Sequence, residues 1–177
     1  MLRQFLSGLA LLALAAPAIA APRDSAEGRL LHDLFKTSVE IPTVKGRGQV
    51  PKMARALSAK LRQAGFAARD IEIVPVGETA AMTVRYRGTG TKPPLLFLAH
   101  MDVVEAKRAD WERDPFTLHE ADGFLYGRGT SDNKLGVVHL VATFITLKKQ
   151  GFRPDRDLIL GFTGDEETDM ASSRVMA

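Results

Sequence analysis

Between Leu95 and Glu167 three short polar clusters each close an apolar run: His100-Met101-Asp102, the stretch from Gly127 to Asp132, and Gly164-Asp165-Glu166-Glu167. One imidazole and several carboxylates placed this way suit a metal-dependent hydrolase, because ligands bind outside the carboxyl ends of strands in open α/β sheets. His100 and Asp102 are two residues apart, so continued strand geometry projects both to one face. A metal-bound imidazole commonly gives its second N–H to such a carboxylate, although a surface strand end can carry the same tripeptide. Asp132 follows two glycines and two small polar residues where a helix should begin. It can cap that helix or place one oxygen on each of two metal ions about 3.5 to 4 Å apart. Glu166 and Glu167 are adjacent and can face differently, one ligating while the other takes a proton from water. An acidic turn is the plainer reading of the same string.

The surrounding periodicity predicts the elements that position these clusters. A helix is expected from about Ser25 to Val39, with Leu30, Leu31, Leu34 and Phe35 on one face, ending before Pro42. A loop spans Thr43 to Gly48, and a second amphipathic helix runs from Pro51 to about Gly65. Ile71 and Ile73, then Met82, Val84 and Tyr86, alternate with polar residues and predict two strands with one wet face. Leu95 to Ala99 is apolar throughout, as expected of a central strand covered on both faces. A helix follows over about Asn133 to Gln150, with Leu135, Val138, Val141, Ala142 and Ile145 inward, and then a buried strand at Leu158 to Phe162. Strand, helical crossover and strand describe a parallel unit whose ends open on one edge, which brings His100 and Glu167 together. The fold class expected is α/β, a mixed, largely parallel sheet flanked by helices.

The 177 residues are 45% hydrophobic and 25% charged, ordinary for a globular chain. The net charge of +3 is scattered, which gives a nucleic-acid role no support. Residues 1–20 read as a cleaved secretory signal: Arg3, a Leu/Ala-rich run, Pro17, and small residues at Ala18 and Ala20. The run is shorter than the roughly 20 residues of a membrane span, so no stable anchor is expected and the mature chain, from residue 21, is placed in the periplasm or outside the cell. There is no cysteine, so disulfides are excluded and any zinc must be held by His and carboxylates.

With the loop Trp111-Glu112-Arg113-Asp114-Pro115-Phe116 added, the motifs His100 to Val104, Gly127 to Lys134 and Gly164 to Glu167 resemble the co-catalytic zinc metallopeptidases of the glutamate carboxypeptidase, aminoacylase and acetylornithine deacetylase type. The resemblance covers most of the second half of the chain. It implies two zinc ions, with cobalt or manganese as alternatives, and a small peptide or N-acyl amino acid as substrate. His100 would ligate one zinc and Asp102 orient it; Asp132 would bridge both ions; Glu166 would be the general base; Glu167 would ligate the other ion. Trp111, Asp114, Phe116, Arg128 and the glycines would be structural. Asn133 and Leu135 depart from common family residues without removing a ligand.

Members of that family are considerably longer. The resemblance therefore implies that residues 21–177 are the N-terminal part of a truncated catalytic domain. A further carboxylate ligand, a late His ligand and a lid His would lie beyond Ala177, as would a lid that serves for homodimerisation. This polypeptide alone is expected to be inactive or poorly soluble. His32 and His139 are expected to be packed or solvent-facing, and His119 solvated in a charged loop, rather than ligands. Carboxypeptidase or dipeptidase action leads the expectations, with N-acyl amino acid deacylation and a non-catalytic peptide-binding homologue as alternatives.

Overall fold

The computed structural model of the protein describes residues 24–90 and 92–177, so the signal read at residues 1–20 lies outside the described residues. Helix α1 (Ala26–Val39) starts where the Ser25 hydroxyl accepts the Gly28 N–H at 2.9 Å, an N-cap that satisfies an otherwise orphaned donor. It buries Leu34, Phe35 and Val39. Helix α2 (Val50–Gln63) has Pro51 in its first turn and buries Met53, Leu57 and Leu61. Strands β1 (Ile71–Val76) and β2 (Thr79–Tyr86) form the expected antiparallel pair. Strand β3 (Leu95–His100) is followed by a small hairpin, β4 (His119–Ala121) and β5 (Phe124–Tyr126). Helix α3 (Lys134–Lys149), strand β6 (Leu158–Thr163) and the short helix α4 (Ala171–Met176) complete the order.

The main sheet runs β1-β2-β6-β3, with β3 and β6 parallel and the other two pairings antiparallel. It is thus mixed and flanked by helices, and among the described residues its parallel character is confined to the β3–β6 pair. The core gathers Met53 and Leu57 of α2, Met82 and Val84 of β2, Val141 and Phe144 of α3, and Leu160 and Phe162 of β6, all buried. Among the described residues no helix is long and apolar enough to cross a membrane.

Three expectations differ from what the structure shows. Among the described residues β3 is an edge strand with one face uncovered: Leu95, Leu96 and Leu98 are 46%, 59% and 65% exposed, while Phe97 faces Phe144 and Ala99 is buried. An unbroken apolar run records that a strand is apolar, not which described element lies over it. Leu135, expected inward, is exposed on α3. His119 lies in β4 rather than in a solvated loop, and its Nε2 is buried without a hydrogen-bond partner. The hairpin that holds it turns through Asp122 (φ 52°) and Gly123 (φ 81°), the Asp-Gly signature of a two-residue turn.

Candidate metal centre

β3 and β6 run side by side with His100 opposite Thr163, and the Met101 N–H donates to the Thr163 carbonyl at 2.8 Å. The first and third polar clusters therefore leave the sheet at the same edge. Gly164 makes the exit possible, since a Cβ there would meet Thr79 Oγ1 at 2.4 Å and both the Ala80 carbonyl oxygen and Val50 Cγ1 at 2.5 Å. Beyond it Asp165 is buried and accepts the Ala171 and Ser172 N–H groups at 2.7 and 3.0 Å, and also the Ser172 hydroxyl. This closes the acidic turn from behind. Sequence reasoning missed Asp165 and Ser172, because the partners of an acidic residue in a turn depend on how the turn folds back.

Asp102 is 4% exposed and accepts two backbone N–H groups of that turn, Glu166 at 3.1 Å on Oδ1 and Glu167 at 3.0 Å on Oδ2. The strand ends at His100, and the His100 and Asp102 side chains, both buried, still lie on one side of the chain. His100 Nδ1 lies 3.1 Å from the Asp102 main-chain oxygen and 3.4 Å from Oδ1. With a proton on Nδ1, both contacts orient the ring and leave Nε2 to face outward.

Nε2 meets Asp132 Oδ1 at 3.0 Å and Glu166 Oε2 at 3.8 Å. One ligand atom each from His100, Asp132 and Glu167 lie within 4.8 Å of one another. Of the sequence-predicted residues, the structure thus gathers His100, Asp102, Asp132, Glu166 and Glu167 in one place. His32 instead faces Glu120 at 3.8 Å, and His139 is exposed on α3 with Nδ1 at 2.9 Å from the Leu135 carbonyl.

Asp132 does not cap α3: the cap position is Asn133, without a side-chain hydrogen bond, and the Asp132 side chain is 75% exposed. The preceding turn is seated on the loop expected to be structural. Arg128 N–H donates to the Pro115 carbonyl at 2.6 Å, and its guanidinium lies 5.4 Å from the Trp111 ring centroid. Lys134, read from the sequence only as part of a motif, is 0% exposed and donates through Nζ to the Ser38 and Ile41 carbonyls at 2.8 and 2.7 Å. A lysine beside a predicted helix start gives no sign from sequence that it turns inward.

The electrostatics follow from this crowding. Burial opposes charge on His100, but the hydrogen bond and charge of Asp102, with the Asp132 contact, outweigh it and raise the imidazole to about 9. Burial raises the Glu167 carboxyl, assisted by the nearby Asp132, Asp102 and Glu166 against the opposing charge of His100. Burial lowers Lys134 to about 7, against the pull of Asp102. One imidazole and converging carboxylates are the borderline N/O donor set that suits a divalent ion. The residues therefore fit zinc.

Residues 96–177 match the family model described as peptidase family M20/M25/M40. The chain is similar to the N-fatty-acyl-amino acid synthase/hydrolase PM20D1.1 of Danio rerio, 31% identical over 147 residues that make up 77% of this chain and 28% of that protein. It is also similar to a probable succinyl-diaminopimelate desuccinylase of Staphylococcus aureus, 42% identical over 107 residues, 60% of this chain and 26% of that one. Among solved structures, the dipeptidase Dug1p of Saccharomyces cerevisiae superposes with a TM-score of 0.70 at 24% identity, over 82% of this chain and 34% of that chain. That likeness shows the fold. The chain spans 28%, 26% and 34% of the lengths of these three proteins.

Proposed function

Residues 96–177 belong to peptidase family M20/M25/M40, and from that premise we propose that the protein serves a metal-dependent hydrolase acting on a peptide or N-acyl amide bond, with carboxypeptidase or dipeptidase action leading. The observation that carries this reading is the convergence of His100, Asp132 and Glu167 within 4.8 Å, with Glu166 beside them at the shared end of β3 and β6. The curated relatives named for N-acyl amino acid and succinyl-amide chemistry support the amide class.

In this proposal His100, Asp132 and Glu167 would hold two zinc ions, with Asp132 shared between them; cobalt and manganese suit the same donors. When bound, such ions supply Lewis acidity toward the scissile carbonyl and make water more acidic. Glu166, exposed beside the ligands, accepts a proton from the attacking water and passes it to the departing amine nitrogen. Asp102 orients the His100 ring while its two oxygens hold the backbone that carries Glu166 and Glu167. The proposal keeps the exported location read from residues 1–20, and a homodimer formed by parts of the family's longer chains.

The test is the Glu166→Gln variant in the full protein, assayed on dipeptides and on N-acyl amino acids. Turnover is expected to fall by about 10²–10⁴-fold on whichever class the unmodified protein cleaves. Undiminished hydrolysis would remove Glu166 from the mechanism and favour a different base. Binding of either class without cleavage by the unmodified protein would support the non-catalytic reading instead.

A further inference from the structure

We infer that Lys134 is a positioning residue for the metal centre, a buried strap that holds the turn at residues 127–133 so that Asp132 faces His100. The inference rests on the reading of Asp132 as a ligand. Lysine is almost never fully buried unless its ammonium is paired, yet Lys134 is 0% exposed. Its Nζ donates to the Ser38 carbonyl at 2.8 Å and the Ile41 carbonyl at 2.7 Å. Ser38 is in the last turn of α1 and Ile41 lies just past its end, where unpaired carbonyls and the negative end of the helix dipole favour a cation.

A lysine that only stabilised the core would need nothing more. Here, however, the side-chain stem also lies against the turn. Gly129 has φ +89°, and a Cβ there would meet Lys134 Cδ and Val103 Cγ1, each at 2.9 Å. Val103 follows Asp102 directly. The one side chain thus joins the end of α1 to the underside of the turn that leads to Asp132, and Val103, from the segment that carries Asp102, lies against the same glycine. The Asp132 side chain is 75% exposed and meets His100 Nε2 at 3.0 Å, so the backbone of that turn sets the point from which it reaches the imidazole.

The experiment titrates zinc calorimetrically into the unmodified protein, Lys134→Met and Gly129→Ala, records cobalt(II) visible absorption, and measures amide hydrogen exchange without metal. Met keeps most of the stem and removes the amine that donates to both carbonyls; Ala presses on the stem and on Val103 and strains a backbone at φ +89°. For both variants zinc affinity is expected to fall about 10-fold or more, the size of other losses around metal ligands. The cobalt bands should shift, and exchange should quicken at residues 127–137 while β2 and β6 stay protected. A folded Lys134→Met that binds zinc with undiminished affinity, or that keeps the original exchange over 127–137, overturns the inference. If Lys134→Met loses protection throughout, Gly129→Ala decides, and undiminished affinity there is equally fatal. If the unmodified protein takes up no zinc, the metal reading itself has failed, and exchange at 127–137 alone decides the strap.

Discussion

The two halves of the proposed metal centre differ in how their carboxylates are held. His100 and Asp102 are 6% and 4% exposed and sit in a frame of backbone hydrogen bonds that joins the ends of β3 and β6. The side chains of Asp132 and Glu166 are 75% and 48% exposed and project from turns. The contrast assigns different work to chemically similar groups. In the closed half a carboxylate is surrounded by donors and acts as scaffold, since a buried charge is tolerable only when paired. In the open half a carboxylate stays accessible, as the proposed exchange with metal and substrate would require.

The largest effect should come from breaking the closed half. Asp102→Ala leaves the Glu166 and Glu167 N–H groups without their acceptor and removes the carboxylate beside His100. With about 1.5–3 kcal/mol for each hydrogen bond to a charged group, a stability loss of about 3 kcal/mol is expected in urea unfolding with chelator present. Zinc affinity should collapse with it. A loss below 1 kcal/mol would show that the acidic turn holds its shape without Asp102. Asp132→Asn should give the opposite profile. An exposed polar exchange changes folding by about 0.5 kcal/mol or less, whereas calorimetric zinc affinity should fall by more than the roughly 10–100-fold seen on losing an outer partner. Equal folding losses in the two variants would erase the distinction between the halves.

The two halves were also legible from sequence to different degrees. His100, Asp102, Asp132, Glu166 and Glu167 could be picked out because polar residues ended apolar runs, among them Leu95 to Ala99 and Leu158 to Phe162. What escaped was whatever depends on contacts between distant segments. The partners of Asp102 lie 64 and 65 residues away, and those of Lys134 lie 96 and 93 residues away. The flank of β3 that no described element covers shows the same limit: apolarity is local, but cover is not. The β4–β5 hairpin, by contrast, was missed although Asp122-Gly123 announces it, because its three-residue strands carry little periodicity.

Proton linkage sharpens the comparison at an intermediate scale. His100 is raised from 6.5 to about 9 in the metal-free protein, so it binds its proton more tightly folded than unfolded. The resulting stability is fully present below about pH 6.5 and is lost as pH rises through about 9. Zinc needs the neutral ring and must expel that proton, so affinity should drop about tenfold for each pH unit below about 9 from this group alone. Calorimetry at pH 7 in buffers of different ionisation enthalpy should find close to one proton released by His100 per zinc centre. No release would mean that the closed half is already deprotonated.

The smallest effect falls within the open half and separates its members. Asp132 and Glu166 are both exposed and both approach His100 Nε2, at 3.0 and 3.8 Å, but only Asp132 belongs to the converging ligand set with His100 and Glu167. Glu166→Gln should therefore leave zinc affinity within about twofold, the consequence of a surface change near 0.5 kcal/mol. A carboxylate that ligates cannot be exchanged for an amide at so small a cost, because the amide is neutral and a weaker donor to a dication. A tenfold loss of affinity in Glu166→Gln would make Glu166 a ligand. The proton-accepting role would then have to be sought on another residue.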